Sequence, residues 1–446
     1  MLVYPLIQLN SGEREYLDTV GKRITKNIWD INIDDVLDEE IVYDLLQMPL
    51  NHEFKFELIK QFNPKLVSID KITEKYLHLK SNSFVKLLFT DIYKRYDPIT
   101  QTFVRSTERY YIDNGYQLVV SRVFLPILSY IEDAVYLLGD DREIEVDYDN
   151  NLYDYQLQAL DFVKRNGSAI LQMPTGSGKS YLMSKIKNSI IIVPSRSLQI
   201  QYKEKYDRET LTYQYAIKHT DELSRYDVII LDEAHHAPAD EFKNVMLKNP
   251  DKHFVLTTAT PFRGDNRDLL LSIFPKYTLR YDDPRLKINR PEIYIVIYSK
   301  YKFTNKKESL AKMVEEFMGN GYVIDEYMIR VPFVEICNKI AKKLGIKCYH
   351  SESKIKVKEV LEGKVTKFVS TTIFDEGVDL PEIYNLILPL WESSATKIIQ
   401  IIGRLSRKGQ KDLKKRMYIL ARSMKELYQF EIFAYLLGLK YTVISD

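Results

Sequence analysis

The sequence predicts an α/β protein with two successive parallel sheets, preceded by a small α+β region. Three observations lead to this fold class. Short runs that are almost entirely apolar, such as 189–194 and 226–231, are typical of parallel strands covered on both faces. Helix-like segments alternate with such strands, first between about 150 and 285 and again from about 286 onward. Before residue 150, segments rich in β-forming residues flank turn signals, which favours hairpins.

Composition limits the class of protein. The chain of 446 residues has room for two or three domains, and its 45% apolar and 28% charged residues are ordinary for a soluble globular protein. Its net charge of +2 neither requires nor excludes nucleic-acid binding, because a basic groove can lie on a neutral molecule. Two cysteines, Cys337 and Cys348, are too few for a disulfide framework or a zinc site, which favours a reducing compartment. Without an apolar run long enough to span a bilayer or a signal-peptide pattern, we predict a cytoplasmic protein that binds no membrane.

Residues 1–148 are predicted to form an accessory domain that binds DNA. The pattern predicts a helix at 41–48, a hairpin made of 84–92 and 103–112, a strand at 116–120 and a helix at 124–138. Aromatic and basic residues are interleaved along the hairpin, and such side chains stack on bases and bind phosphates. A structural role is the alternative, because the chain contains 33 tyrosines and strands favour aromatic residues. The residues in question are Tyr93, Lys94, Arg95, Tyr96, Arg105, Arg109, Tyr110 and Tyr111.

A glycine-rich turn between a predicted strand and a predicted helix indicates phosphate binding. Backbone N–H groups of such a turn surround an anion, and the helix points its positive end at the same place. Lys179 would reach the β and γ phosphates and the Ser180 hydroxyl would ligate Mg²⁺, so the cofactors predicted are ATP and Mg²⁺. Met173 replaces the first glycine of the usual pattern. The loop residues predicted to bind the nucleotide are Thr175, Gly176, Ser177 and Gly178.

An acidic pair follows a predicted buried strand. Asp232 would hold Mg²⁺ against the β and γ phosphates, and Glu233 would orient and deprotonate the attacking water. A buried strand ending in two carboxylates without a metal would be costly. Gln156, about 20 residues before the loop, is placed to bind the adenine edge through its amide.

Other segments are ambiguous when each is taken singly. Arg196 would bind a nucleic-acid phosphate or lie on the surface. Gly377 and Asp379 lie in a segment that would bind a ribose or form a solvated loop. A third segment would supply arginine fingers for the γ-phosphate or a solvated basic helix face. Its residues, on one helix face, are Gln400, Arg404 and Arg407.

Taken together and in order, these segments resemble the superfamily 2 helicases and translocases. The resemblance covers the chain from about residue 150 onward. Its motifs are Gln156, PTGSGKS at 174–180, LDEAHH at 231–236, TATPFR at 258–263, STTIFDEGVDLP at 370–381 and QIIGRLSR at 400–407.

The resemblance implies two tandem RecA-like domains, 149–285 and 286–446, with an ATP cleft between them. It assigns Lys179, Ser180, Asp232 and Glu233 to ATP and Mg²⁺, together with the set at 400–407. Further residues would couple the cleft to the nucleic acid or contact its backbone: Arg196, His235, Thr258, Thr260, Arg263 and Thr371.

Within the superfamily, the compact layout is most similar to UvsW-type phage helicases. This implies an ATP-dependent helicase or translocase that remodels branched DNA during branch migration, fork regression, recombination and repair. It also implies 3′ to 5′ movement, the host cytoplasm as location and a monomer. Two enzyme alternatives stay open, an RNA helicase and a restriction-system motor subunit. A nucleic-acid-binding sensor switched by ATP is the alternative from another class.

Overall fold

The computed structural model describes residues 1–132, 144–265, 267–286, 288–323, 326–351, 359–360, 362–374, 383–391, 394–406 and 414–445. The chain forms two compact units, one of residues 1–173 and 178–278 and the other of residues 174–177 and 279–446. Each unit has one parallel sheet. The predicted fold class, two RecA-like parallel-sheet domains after a small α+β region, is therefore confirmed. The finer boundaries at 148 and 285 stay predictions. In the ranges given, no helix is long and apolar enough to cross a membrane.

The α+β region occupies the first 132 residues. Its helices are α1 (Ser11–Val20), α2 (Glu39–Gln47), α3 (His52–Phe62), α4 (Ser83–Leu88) and α5 (Leu125–Glu132). Its strands are β1 (Leu2–Val3), β2 (Lys22–Thr25), β3 (Ile28–Asp30), β4 (Ile69–Ile72), β5 (Tyr76–Lys80), β6 (Thr90–Asp97), β7 (Thr102–Arg109), β8 (Tyr111–Asp113) and β9 (Gln117–Ser121). They form antiparallel sheets of order β1-β3-β2 and β4-β5-β9-β8, while β6 and β7 form a separate hairpin.

Most of the elements predicted in this region are present. The predicted helix at 41–48 is α2, the predicted strand at 116–120 is β9, and the predicted hairpin is β6 with β7. The prediction of a strand from residue 84 was wrong, because 83–88 form helix α4. The Asn82 side chain accepts a hydrogen bond from Val85 N at 2.8 Å, which caps this helix, and Val85 and Leu88 bury one face. Of the helix predicted at 124–138, residues 133–138 lie outside the described residues.

One hydrophobic core joins the α+β region to the first parallel sheet. Phe89 and Phe124 from the former belong to the same buried cluster as Phe254 and Leu269 from the latter. An ion pair also joins the two parts, since Lys276 on β15 pairs with Glu53 on α3 at 2.5 Å. The α+β region therefore packs as part of the first unit.

The first parallel sheet places the ends of its strands at one edge. Its strands are β10 (Ala169–Gln172), β11 (Ser189–Val193), β12 (Thr210–Thr212), β13 (Val228–Asp232), β14 (His253–Thr258) and β15 (Lys276–Thr278). The helices of this part are α6 (Asp154–Asn166), α7 (Lys179–Met183), α8 (Arg196–Tyr206), α9 (Tyr213–Lys218) and α10 (Asn244–Leu247). The strand order is β12-β11-β13-β14-β10-β15 and all pairs are parallel, so the carboxyl ends of β10, β13 and β14 share an edge.

The second parallel sheet belongs to the second unit. Its strands are β16 (Glu292–Ile297), β17 (Tyr327–Arg330), β18 (Lys347–Tyr349), β19 (Lys367–Ser370), β20 (Asn385–Pro389), β21 (Arg416–Ala421) and β22 (Thr442–Ser445). The helices are α11 (Lys306–Gly319), α12 (Val334–Leu344), α13 (Ala395–Leu405) and α14 (Tyr428–Leu437). The order is β18-β19-β17-β20-β21-β16-β22, again parallel throughout. Gly345 ends α12 at φ +66°, a left-handed conformation that glycine adopts readily.

A disulfide joins the two cysteines of the chain. Cys337 lies on α12 and Cys348 on β18, and their sulfur atoms are bonded. Cys337 is fully buried in the core of the second unit. In the sequence, two cysteines favoured a reducing compartment because they are too few for a disulfide framework. The bond between them removes that reason.

Reduction of this disulfide is expected to destabilise the second unit. The bond closes a loop with a sequence separation of 11, and a cross-link of that size stabilises by about 2–3 kcal/mol through the unfolded state. Thermal unfolding with and without a reductant should show a fall in Tm of several degrees. The Cys337→Ala/Cys348→Ala protein is the control and should not respond to the reductant. Two free thiols in the purified, denatured protein would contradict the expectation.

Candidate nucleotide site

The glycine-rich turn has the backbone that a phosphate loop requires. Gly176 and Gly178 adopt φ values of +85° and +83°, which are left-handed conformations that glycine reaches without a steric penalty. Helix α7 begins directly after Gly178, at Lys179. The Lys179 Nζ donates to the Met173 carbonyl at 3.1 Å. The amine that would bind phosphate is therefore held at the residue that precedes the loop.

Gln156 lies against this loop. A Cβ atom at Gly178 would stand 2.4 Å from Gln156 Nε2, so a side chain there would displace the Gln156 amide in addition to straining the backbone at φ +83°. Gln156 Oε1 accepts from Tyr153 N at 2.9 Å and caps α6, and the side chain is buried. The amide acceptor is thus engaged by its own helix, and binding of adenine by Gln156 stays a prediction.

The carboxylate of Asp232 accepts hydrogen bonds on both of its oxygen atoms. Its Oδ1 accepts from Thr257 Oγ1 at 2.9 Å, across the β13–β14 register that pairs these two residues. Its Oδ2 accepts from the Tyr202 hydroxyl at 2.8 Å. The same hydroxyl hydrogen-bonds to the Ser180 side chain. Tyr202 therefore connects the two side chains predicted to ligate Mg²⁺, although the sequence analysis did not select it.

The proton on Tyr202 is secured by its surroundings. Burial in the protein interior raises the pKa of the Tyr202 hydroxyl well above its usual range, and the nearby Asp232 charge adds to this effect. The hydroxyl is consequently a permanent donor to the carboxylate.

Glu233 stands in a strained backbone conformation. Its φ of 49° and ψ of 52° are left-handed, which is uncommon for a residue with a side chain. Its backbone N donates to Asp232 Oδ1 at 3.0 Å. Strain of this kind concentrates at functional sites, where the surrounding structure imposes it. The conformation fits the role of water activator that the sequence predicted.

A polar chain runs from Glu233 into the next strand. His235 Nδ1 lies 3.5 Å from Glu233 Oε2 and 3.2 Å from Thr258 Oγ1. The Thr258 hydroxyl donates to the Thr260 carbonyl at 3.1 Å, so His235 must donate to Thr258 through Nδ1–H. Burial lowers the pKa of His235 well below its usual range, with further effects from His236, Arg263 and Lys179. The ring is therefore neutral.

Arg263 continues this connection beyond the strand. Its Nη1 donates to the carbonyl oxygens of His235 and His236 at 3.2 and 3.4 Å. Asp265 holds the guanidinium through two hydrogen bonds of 2.9 Å. Arg263 thus supports the backbone that follows Glu233.

The remaining predicted residues belong to other elements of the chain or lie outside the described residues. Arg196 is exposed at the first turn of α8, which begins after the end of β11. Thr371 follows β19 and is mostly buried, and its N donates to the Tyr349 carbonyl at 2.9 Å. Gln400 lies on α13 together with the backbone of Arg404. Thr175 and Ser177 lie in the loop itself, whereas Gly377, Asp379 and Arg407 are outside the described residues.

The donor set fits magnesium. Ser180 and Asp232 offer hard oxygen atoms, which Mg²⁺ prefers, and Tyr202 and Thr257 orient the carboxylate from behind. The described residues contain no cluster of three or more His, Cys, Asp or Glu side chains that would hold a metal by themselves. One or two protein ligands with substrate phosphates are the usual arrangement for this ion.

Comparisons with known proteins give matches to helicases, to a translocase and to a restriction-enzyme subunit. The family described as "Type III restriction enzyme, res subunit" matches residues 210–263. "Putative helicase 22" of Sulfolobus islandicus filamentous virus is 26% identical over 60% of this chain and 66% of its own length. "DNA 3'-5' translocase XPB2" of Sulfurisphaera tokodaii is 22% identical over 58% of this chain and 80% of its own length. The chain thus spans just under two thirds of the viral relative.

A solved structure gives a weaker likeness. A single-substitution variant of Dbp5 of S. cerevisiae, bound to RNA and ADP BeF3, superposes with a TM-score of 0.45 at 16% identity, over 70% of this chain and 92% of that chain. A likeness of this size says nothing about substrate. The sequence matches support the resemblance to superfamily 2 helicases at the level of the superfamily.

Loss of the Tyr202 hydroxyl is expected to weaken metal binding. In Tyr202→Phe the ring still fills its site, but Asp232 loses a hydrogen bond that fixes its orientation, and such losses reduce metal affinity by about 10–100-fold. The Mg²⁺ concentration that gives half-maximal ATP hydrolysis should rise accordingly. Tyr206→Phe removes a hydroxyl from the neighbouring ring, 5.9 Å away, and should leave that concentration unchanged. An unchanged Mg²⁺ dependence in Tyr202→Phe would show that the hydroxyl does not support the metal site.

Proposed function

We propose that this chain is an ATP-driven helicase or translocase that acts on DNA. One observation carries the proposal: the Tyr202 hydroxyl joins Ser180 of the phosphate loop to Asp232 at the end of β13, beside the strained Glu233. A loop that only bound an anion would need neither the oriented carboxylate nor the neighbouring Glu233. The arrangement is that of a site that hydrolyses a nucleoside triphosphate.

The residues of the first unit divide the chemistry among them. Lys179 would exchange its Met173 carbonyl contact for the β and γ phosphates. Ser180 and Asp232 would hold Mg²⁺, which neutralises phosphate charge when bound. Glu233 would orient the attacking water and accept its proton. The loop N–H groups of Thr175, Gly176, Ser177 and Gly178 would bind phosphate oxygen atoms.

Residues of the second unit would complete the reaction. We propose that Gln400, Arg404 and Arg407 stabilise the charge that develops on the γ-phosphate. Gly377 and Asp379 would bind the ribose. These assignments rest on the resemblance to superfamily 2 helicases.

We propose that the polar chain couples the hydrolysis site to nucleic acid. Glu233 Oε2 lies 3.5 Å from His235 Nδ1, hydrogen bonds join His235 to Thr258 and Thr258 to Thr260, and both threonines are fully buried. They would therefore transmit a change at Glu233 rather than touch nucleic acid themselves. We propose that Arg196 and Thr371 contact the nucleic-acid backbone.

Branched DNA is the proposed substrate. Support comes from the name of the relative XPB2, a DNA 3′-5′ translocase, and from the resemblance to UvsW-type helicases. From the same resemblance we propose 3′ to 5′ movement and branch migration. We also propose a phage origin and a monomer. The match of residues 210–263 to a restriction-enzyme subunit keeps a restriction-system motor as the second candidate.

The β6–β7 hairpin is proposed as an additional nucleic-acid contact. Its tip exposes three large apolar side chains, Tyr96, Ile99 and Phe103, at 51%, 90% and 71%. The rings of Tyr96 and Phe103 contact each other edge to face at 5.6 Å. Other members of the predicted aromatic and basic set have structural partners, since Tyr110 is buried and Arg105 pairs with Glu13. Stacking at the tip, rather than the whole predicted surface, is what we propose.

ATP hydrolysis measured with a panel of nucleic acids tests the proposed function. The panel contains single-stranded DNA, linear duplex, three-way and four-way DNA junctions, and RNA. Strongest stimulation by the junctions is expected. Strongest stimulation by RNA would overturn the DNA assignment, and slow hydrolysis that no nucleic acid stimulates would favour the ATP-switched sensor.

Lys179→Ala should abolish turnover with DNA binding retained. The amine contributes charge to phosphate binding and cannot be replaced by a methyl group. Lys187→Ala, which removes an exposed lysine paired with Asp147, is the matched control and should leave the rate unchanged. Undiminished hydrolysis by the Lys179→Ala protein would sink the site assignment.

Removal of the apolar hairpin tip should weaken DNA binding. Base stacking contributes about 1–3 kcal/mol per aromatic side chain, so Phe103→Ser should raise the Kd for single-stranded DNA by about fivefold or more. Ile112→Ser, at an exposed position on β8, is the control. Fluorescence anisotropy measures both. If Phe103→Ser binds single-stranded DNA as tightly as the wild-type protein, the hairpin tip does not bind this DNA.

A further inference from the structure

The base of the β6–β7 hairpin contains a buried carboxylate. Asp91 lies near the start of β6, opposite Glu108 on β7, and has no solvent exposure. Its Oδ1 lies 2.8 Å from His52 Nε2, and its Oδ2 accepts from the Tyr110 hydroxyl at 3.0 Å. Both partners belong to the α+β region, so these contacts fix the carboxylate relative to its own fold.

The same carboxylate also binds the chain that follows the TATPFR motif. Asp91 Oδ1 accepts from the backbone N atoms of Asp268 and Leu269 at 3.2 and 3.1 Å. The hairpin adds a backbone contact, because Lys94 N donates to the Asp265 carbonyl at 3.0 Å. Two points of the hairpin, the Asp91 side chain and the Lys94 main chain, are therefore hydrogen-bonded to the main chain of this segment.

A charged group on the opposite strand strengthens the attachment. Glu108 accepts from Lys243 and lies 3.5 Å from Arg267 Nη1. The Arg267 guanidinium lies 5.2 Å from the ring centre of Tyr93 on β6. Lys243, Arg267 and Glu108 are all largely buried, so solvent screens these contacts only partly. We call this set of contacts the junction. It consists of Asp91 and Glu108 on the hairpin and of residues 263–265 and 267–269, which follow β14 and form its motor side.

The motor side of the junction leads directly to the hydrolysis site. Arg263 N donates to Asp268 Oδ1 at 2.7 Å, and the N–H of the same Asp268 donates to Asp91. The Arg263 side chain reaches the carbonyl groups of His235 and His236, which follow Glu233. A continuous set of hydrogen bonds thus runs from Asp91 to the backbone after the DEAH carboxylates.

We propose that Asp91 and Glu108 are positioning residues. They would make the hairpin change together with the LDEAHH segment, 231–236, when nucleotide binds. The inference rests on the proposed function, and its new content is that the α+β region sets how strongly nucleic acid stimulates hydrolysis. Asp91 suits this role because a carboxylate can accept from several donors at once, whereas an asparagine side chain offers one oxygen. The hydrogen bonds of the junction would therefore keep the hairpin in place unless residues 263–265 and 267–269 move with it.

Hydrogen exchange of the full chain, with and without ADP and Mg²⁺, tests the inference without nucleic acid. In the wild-type protein, ADP should change exchange at 230–236 and also at 90–94 and 106–110, by about threefold or more if the segments open as one unit. In Asp91→Asn and in Glu108→Gln, the response at 230–236 should remain and the hairpin response should be lost. The ratio of DNA-stimulated to unstimulated hydrolysis should fall about tenfold in both, a typical coupling between two sites.

The matched control is Glu13→Gln. Glu13 pairs with Arg105 on the same hairpin at 2.6 Å, but its partner does not belong to the junction. This variant should keep the wild-type exchange response and the wild-type stimulation ratio. If Asp91→Asn fails to fold, Glu108→Gln at the junction edge decides the question.

Two results would overturn the inference. One is a wild-type protein in which ADP changes 230–236 but not the hairpin base. The other is a folded junction variant that keeps the hairpin response, or whose basal and stimulated rates fall by the same factor. A wild-type ATPase that no nucleic acid stimulates would instead overturn the proposed function, and the exchange comparison would still decide on the junction.

Discussion

The candidate site depends on how the carboxylate of Asp232 is held. Burial of a charged group is costly unless hydrogen bonds compensate it, and here the donors come from α8, from β14 and from the backbone of Glu233. Each donor is placed by a separate element, so the orientation of one carboxylate requires the whole sheet edge to be assembled. The left-handed backbone of Glu233 follows from the same arrangement. Its N–H must turn back toward Asp232, and the chain then leaves the strand as a short turn through His235 and His236.

The polar groups behind the site extend this arrangement inward. His235, Thr258 and Thr260 are buried, and hydrogen bonds join His235 to Thr258 and Thr258 to Thr260, so a movement of His235 would disturb the end of β14. Arg263 adds a second connection, from the backbone after Glu233 to the segment that the hairpin holds. Two sets of polar contacts therefore extend from the candidate site, one along the sheet and one toward the α+β region.

The sequence predicted those features that local chemistry restricts. A phosphate loop needs glycines at fixed positions and a lysine after them, and an acidic pair at a strand end has few other uses, so these residues were identifiable in isolation. Tyr202 was not, because a tyrosine in a polar helix carries no signal until the fold places its hydroxyl beside Ser180 and Asp232. Asp91 was missed for the same reason, since its donors lie as far as 178 positions away in sequence. Helix α4 was misassigned because its β-forming composition outweighed a capping asparagine, and the Cys337–Cys348 pair required a spatial approach that residue counting does not reveal.

The shared core of the first unit also bears on how the chain can be divided. Phe89 and Phe124 pack in one cluster with residues of the parallel sheet, including Phe254 and Leu269. A protein shortened to begin after residue 132 would expose the apolar surface that these side chains cover, at a free-energy cost of about 25 cal/mol per Å². The α+β region and the first sheet should accordingly unfold in a single cooperative transition. In evolutionary terms, an accessory region attached in this way cannot be exchanged for another as an independent module, because its replacement would have to complete the same apolar cluster as the parallel sheet.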